Sequence, residues 1–483
     1  MTLSLFSAVI TDIIRKEALQ VSRDGRSRLL ALIMLLLVLT GLLAGWANHA
    51  DQQRNAMFAQ QTDHSVFLQQ GEKNPHAAAH FGRMAYKPAP PLAAFDPGAA
   101  PFMGQVIWLE AHLRNPAMFR SAADAPEISR MSDFSVAGIL TVFLPLLVFL
   151  LGYAAFAGER EQGTLRQTIA SGASINKLFC AKFMVIAGTG IAVAGISIVI
   201  SGVLALFSPI GLYAFDIITR TFALIMVYAL YVCALTGFAL LVSALCRQAK
   251  SALLILLGVW AVSVMVLPRV GAGIAAQLHA MPGGTQVWSE LRTTVAENRP
   301  EHGSPEYRAA EQFVVSRALG REVSLDEIDN MNLSDAGLRL ETNEVLGNAI
   351  QSAFYEDIHA TYYGQRNIRR GFALLSPAVA LQHASSALAG TDFVAHQHFA
   401  DSAEQQRNDI VRIMHEDMLI QGGGVSRYIS DADFWENVPD FSYQFPQLPL
   451  VWRSASVDIL ILLFWAGVTS ALAWVTSRKR LTV

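Results

Sequence analysis

The chain has 483 residues, 53% of them hydrophobic and only 16% charged, and 36 Lys+Arg against 39 Asp+Glu leave a net charge of −3. A soluble domain carries about 25% charged residues, so a mean hydropathy of +0.36 points to localised apolar blocks. That balance excludes a disordered or nucleic-acid-coating chain, no nucleic-acid partner is expected, and the lipid bilayer is.

In chain order, residues 1–28 read as an amphipathic interface helix, clearest over Ile10–Arg23. Six stretches then have the roughly 17–25 apolar residues a helix needs to cross a bilayer core. They are Leu29–Ala47, Val136–Ala157, Phe183–Phe207, Thr221–Leu245, Ser251–Leu267 and Ser456–Thr476. The first is longer than the apolar core of a signal peptide and lacks a persuasive cleavage site before Asp51, so it should be retained. The fifth is short and should end at Leu267-Pro268, where proline removes a helix donor. No span carries Lys, Arg, Glu or His in its interior, and Asp458 sits near one end of the sixth. Intramembrane charges mark ion and proton paths, so a proton- or sodium-driven carrier is disfavoured.

Basic residues set the orientation, because short cytoplasmic loops are enriched in Lys and Arg. Arg15, Lys16, Arg23, Arg26 and Arg28 precede the first span, and Arg160, Arg166, Lys177 and Lys182 follow the second. Arg247 and Lys250 lie between the fourth and fifth, and Arg478-Lys479-Arg480 closes the chain. With six spans these clusters share one side, which predicts cytoplasmic termini in a bacterial inner membrane, with 477–483 a cytoplasmic tail. Segments 48–135 and 269–453 are then periplasmic. The three cysteines, Cys180, Cys233 and Cys246, avoid both segments, which must fold by packing rather than by disulfides.

Within the first segment, Asp51–Gln70 should continue the span as a polar helix. Lys87–Pro101 is Pro/Ala/Gly-rich and irregular, and Ile107–Phe119 is expected to be a short helix. In the second, Ser304-Pro305-Glu306 opens a helix. Leu346, Ile350, Phe354 and Ile358, four apart, define one face of another. Phe399–Ile420 reads as a polar helix with Ile410, Ile413 and Met414 on a stripe, stopped by Gly422-Gly423-Gly424. The expected fold is an all-α polytopic membrane protein: six transmembrane helices with two large, mostly helical periplasmic insertions.

The sequence contains no Walker A, HExxH, GxSxG or CxxC motif, so neither a bound nucleotide nor a catalytic residue is expected in this chain. All twelve histidines fall outside the spans on the external side, among them His64, His76, His80, His112, His279, His302, His359, His383, His396 and His398. His396-Gln397-His398, with Met103 or Met118, has the donor types for copper or zinc. Spacing of i,i+2 on a helix splays the two rings apart, so ordinary surface histidines and no metal are expected.

Residues 158–182 carry the most information: opposite charges follow the second span at once, then Gly163-Thr164 breaks and restarts a helix. Mixed charges beside a span are commonly just a solvated interface. Here the break produces a short helix along the membrane face, offering its charges and Leu165 to a partner groove. The sequence GEREQGTLRQTIASGASINKLFCAK resembles the coupling segment of type-2 ABC transporter permeases, of the form E-R-E-x-G-T-L. The interface helix and the six spans with cytoplasmic termini are similar to that class as well. The resemblance implies ATPase-coupling roles for Glu159, Arg160, Glu161, Gly163, Thr164, Leu165 and Arg166, and an interface-helix role for Arg15, Lys16, Glu17, Arg23 and Asp24. Under it, Glu159→Lys should uncouple hydrolysis from transport without unfolding the chain.

LSPAVALQHASSALAGTDFVAHQHFADSAEQQR (375–407), with RDGR at Arg23–Arg26, resembles a bacterial permease family of unknown function with large periplasmic inserts. That family is distantly similar to the permease for copper-site maturation of nitrous-oxide reductase; no clear copper-ligand cluster appears, so that cargo is not carried over. The signature residues are Leu375, Ser376, Pro377, Gly390, Thr391, Asp392, His398 and Phe399, and the Ser-Pro and Gly-Thr-Asp steps read as helix-boundary chemistry. Together the resemblances imply a non-catalytic permease subunit in an ATP-driven transporter. ATP and Mg would be held by separate cytoplasmic ATPase subunits, beside a second permease chain, identical or paralogous, and a possible periplasmic or outer-membrane partner. The alternative is a membrane-anchored periplasmic binding or scaffold module.

Overall fold

Asp24 separates helix α1 (Thr2–Arg23) from helix α2 (Gly25–Leu68), its carboxylate accepting from the N–H groups of Arg26 and Ser27. Those donors have no partner inside a helix, so the cap fixes the corner. The computed structural model describes residues 2–120, 134–208, 214–425 and 427–481. α2 is one unbroken helix of 44 residues, about 66 Å at 1.5 Å per residue. It therefore contains both the first span and the polar extension expected over Asp51–Gln70.

After α3 (Pro75–Phe81), strand β1 (Arg83–Tyr86) pairs antiparallel with β2 (Val106–Leu109). The helix expected over Ile107–Phe119 is absent. Ile107-Trp108-Leu109 is an apolar, β-favouring run, and Pro116 leaves too little chain for a helix before it. The intervening Lys87–Pro101 is irregular apart from short 3-10 turns, yet it is anchored to the spans. Phe95 is fully buried against Tyr228, and its carbonyl accepts from the Ala137 N–H.

The second span is α4 (Val136–Gly152), followed by α5 (Ala157–Glu161) and α6 (Thr164–Ala170). The third, α7 (Ile175–Leu206), begins well before Phe183, because Ser174 caps it and the helix runs on through Lys177 and Lys182. The fourth is α8 (Ala214–Leu245). The fifth starts as α9 (Ala249–Trp260) and passes through a π-turn at Ala261–Val266 into α10 (Leu267–Leu278). It does not end at Pro268. The wider turn just before the proline accommodates the missing donor, as π-bulges do.

The remaining helices are α11 (Gly284–Asn298), α12 (Pro305–Leu319), α13 (Leu325–Ile328), α14 (Asp335–Ala373), α15 (Pro377–Ala389), α16 (Phe393–Gln421) and the sixth span, α17 (Leu448–Leu481). Among the described residues six helices are long and apolar enough to cross a membrane, and the chain is an all-α polytopic membrane protein. Exposed Leu35, Leu43, Ile196, Phe222, Leu254 and Leu460 give the spans the apolar outer faces a bilayer requires.

One apolar core runs through the spans and a second joins the end of α2, α3, the two strands and α16. Inside the first, α8 crosses α17 with backbones touching. A Cβ on Gly237 would lie 2.7 Å from the Ser470 nitrogen, and Thr469 donates to the Ala234 carbonyl over 2.9 Å. Small residues at such crossings let helices approach closely in a membrane. α15 also belongs to this core, wedged against α8 and α17 rather than lying free in the insertion. The four-apart face on α14 is only half-buried, because the buried side of that helix carries Glu341, Glu344 and Gln351.

Candidate functional site

Helix α1, the end of α17 and residues 157–174 meet at one end of the bundle, here termed the terminus side. Ser243 of α8 starts the site, its Oγ accepting from the N–H groups of Phe156 (2.9 Å) and Ala157 (3.1 Å). It thereby caps α5, which has no cap of its own.

The three charged residues of α5 then reach three different elements. Glu159 is buried, and its Oε1 accepts from Lys182 Nζ of α7 over 3.0 Å and from Lys16 Nζ of α1 over 3.1 Å. Lys182, 2% exposed, also donates to both oxygens of Glu17 at 3.0 Å. Arg160 donates to the carbonyls of Ala244 (3.0 Å) and Cys246, which the end of α8 leaves unpaired. Glu161 accepts from the Ala249 N–H over 3.2 Å at the start of α9. The motif joins α1, α7, α8 and α9 at one point.

Electrostatics favour this closure. Burial alone would lower the pKa of Lys16, but the carboxylates of Glu159 and Glu17 outweigh it and raise the value above that of a free lysine. Two carboxylates and two ammoniums oppose one another at the junction, the pairing that buried charges require.

Gly163 has φ of +75°, a left-handed turn that only glycine adopts without strain. It reverses the chain between α5 and α6, and the Thr164 hydroxyl donates to the Glu159 carbonyl across the bend. Leu165 is 5% exposed and packs inward, so it is not offered to a partner groove as expected. Its side of α6 is drawn into the apolar core of the spans. Glu159 likewise faces inward. Of the predicted residues and their neighbours, Glu161, Gln162, Gly163, Arg166 and Gln167 stay exposed, together with Arg15, Lys16 and Arg23 of α1. Asp24 is spent as the α2 cap.

Lys182 is the member that sequence reading missed as a site residue. A lone lysine beside an apolar stretch reads as an edge marker, and only the fold brings it to Glu17 and Glu159.

The second group of signature residues is structural in geometry. Ser376 caps α15 with Pro377 in its first turn, and its hydroxyl donates to the Ser263 carbonyl inside the π-turn. Gly390 adopts a left-handed conformation and ends α15; Asp392 caps α16 and accepts from Ser454 of α17. Thr391 bonds back to the Ser386 carbonyl, Phe399 is fully buried, and His398 meets the Tyr443 hydroxyl at 3.1 Å. Leu375 is exposed. Near these residues, Asp458 is completely buried on α17 and accepts from Arg370 (2.7 and 2.9 Å), with His383 at 3.3 Å.

His396 and His398 do not converge on a common point. The ring nitrogens of His76, His80 and His112 do, all within 4.8 Å of one another. The signal for them was His76 and His80 at i,i+4, which places two rings on one helical face.

Comparison with known proteins gives one family match. The profile described as ABC-2 family transporter protein matches residues 11–477. No curated protein matches the chain.

Proposed function

The chain belongs to the ABC-2 transporter family, and on that premise we propose that it turns ATP-driven movement of a separate ATPase into rearrangement of its own spans. As a membrane permease component it works with a cytoplasmic ATPase. The observation that carries the finer reading is the distribution of Glu159, Arg160 and Glu161 onto α1 and α7, the end of α8 and the start of α9. A push on α5–α6 then reaches four elements together, the rigid two-state linkage that nucleotide-driven motion requires.

In this reading the terminus side is cytoplasmic, the inserts are periplasmic, and the membrane is a bacterial inner membrane. Arg166, Gln162 and Gln167 rest on the ATPase, while Glu159 and Leu165 transmit from within. ATP and Mg are held by two ATPase subunits, and this chain contributes no catalytic group. A second permease chain, identical or paralogous, completes the transporter, and the inserts exchange cargo with a periplasmic or outer-membrane partner. The scaffold alternative leaves the inward-facing hub without a purpose.

Affinity purification of the tagged chain from native membranes, followed by mass spectrometry, tests this. A roughly equimolar Walker A protein should co-elute and be lost on Arg166→Glu. A preparation carrying only periplasmic proteins would overturn the permease reading.

A further inference from the structure

We propose that His76, His80, His112 and His415 form a binding site for a divalent transition-metal ion of the zinc class. The site lies where α3, the segment after β2, α14 and α16 meet, far along the chain from the coupling residues, and it stands independently of the transporter reading.

α3 has the sequence Pro75-His76-Ala77-Ala78-Ala79-His80-Phe81. Its two histidines are i,i+4 on one face, with ring centroids 4.7 Å apart. His112 arrives from the segment after β2 with φ of +78°, a conformation a non-glycine residue rarely holds. That backbone brings its ring to 5.1 Å from His76 and 5.0 Å from His80. From the other side, fully buried His415 of α16 places Nε2 3.0 Å from His76 Nδ1. Two ligand nitrogens on one tetrahedral zinc are roughly 3.3 Å apart, given bonds near 2.0 Å. His76 and His415 are already slightly closer than that, and exposed His80 can close the remaining distance.

The surroundings orient the rings as metal sites do. His415 Nδ1 lies 2.9 Å from Glu341 Oε2, and His112 Nδ1 lies 3.4 Å from Glu344 Oε2. Glu344 also accepts the His112 N–H at 3.0 Å. Each carboxylate is itself fixed by a guanidinium, Arg317 on Glu341 and Arg407 on Glu344. A carboxylate accepting from Nδ1 leaves the Nε2 lone pair facing the cluster, the arrangement that raises ligand basicity in carboxylate–histidine–metal triads. Imidazole donors without thiolates select borderline divalent ions over Ca and Mg.

The test uses the full-length chain in detergent, stripped with a chelator and titrated with Zn(II) against a chromophoric competitor. One zinc per chain should bind. His80→Ala and His112→Ala should each weaken binding at least tenfold, and His302→Ala, elsewhere in the insert, should leave it unchanged. His80 is exposed, so its variant folds. Ca(II) should not compete. Absence of stoichiometric zinc, or equal affinity in the His80→Ala, His112→Ala and unaltered chains, would overturn the site.

Discussion

Lys182 of the third span donates to Glu159 of α5 across 3.0 Å, with only 2% of the lysine exposed. Removing one partner of a buried pair costs about 3–5 kcal/mol, because the other charge stays buried without its counter-ion. Lys182→Met should therefore lower the thermal midpoint in detergent clearly, whereas Arg166→Ala, on the exposed face, should barely move it. Glu159→Lys gathers three lysines in the junction, so it should destabilise the chain as well as uncouple it. A midpoint equal to wild type in Lys182→Met would mean that the junction is not closed in the folded protein.

Arg160 and Glu161 hold the turn between α8 and α9 from its two sides. Losing such a cap costs about 0.5–2 kcal/mol. Arg160→Ala should raise amide hydrogen exchange at 244–250 while leaving exchange within α14 unchanged. Uniform exchange across both regions would contradict the clamp.

Gly163→Val forces a β-branched residue into a left-handed conformation, at about 1–2 kcal/mol. Because nothing lies within 4 Å of the added Cβ, the loss is conformational and not steric. Gly163→Asn should recover much of it, since asparagine tolerates that region. Thermal midpoints of the two variants check the order.

In the insert, Arg407 is fully buried and donates to Glu344 (2.5 Å) and Glu404 (2.9 Å). Arg407→Met leaves buried carboxylates without their cation and should cost about 3–5 kcal/mol. Limited proteolysis should cut the insert of this variant first, with the spans protected. Simultaneous cleavage of both would show that the two cores are not separable in stability.

Acid should also weaken the insert. Burial pushes the pKa of His396 down to about 3, with Lys87, His359, Arg120 and Arg114 adding to the effect. Burial lowers His359 and His398 too. A histidine held neutral in the fold contributes stability that is present above its unfolded pKa, near 6.5, and is lost as pH falls from there toward 3. Thermal midpoints should fall between pH 7.5 and 5, and less steeply in His396→Gln. Equal slopes would remove His396 from the account.

Much of the fold was legible because bilayer crossing needs long apolar runs, and the six spans declare themselves by length alone. Caps were also legible: Ser304, Ser376 and Asp392 begin helices where small polar residues precede Pro or an apolar run. Tertiary context was not. Leu165 reads as an exposed anchor until α6 is seen packed on the spans. The strand at Val106–Leu109 depends on a partner over 20 residues earlier in the chain. The buried face of α14 is polar because its carboxylates serve Arg317, Arg407 and the histidines, a demand that local periodicity cannot reveal. Lys182 shows the same limit at the junction with Glu17 and Glu159.

The most direct measurement places a photo-crosslinking amino acid at Arg166, on the exposed face of α6, and for comparison at Ile358 in the insert, in cells expressing the intact transporter. The account predicts a covalent adduct with a Walker A ATPase from position 166 and none from 358. An ATPase captured from 358, or none captured from 166, would contradict it.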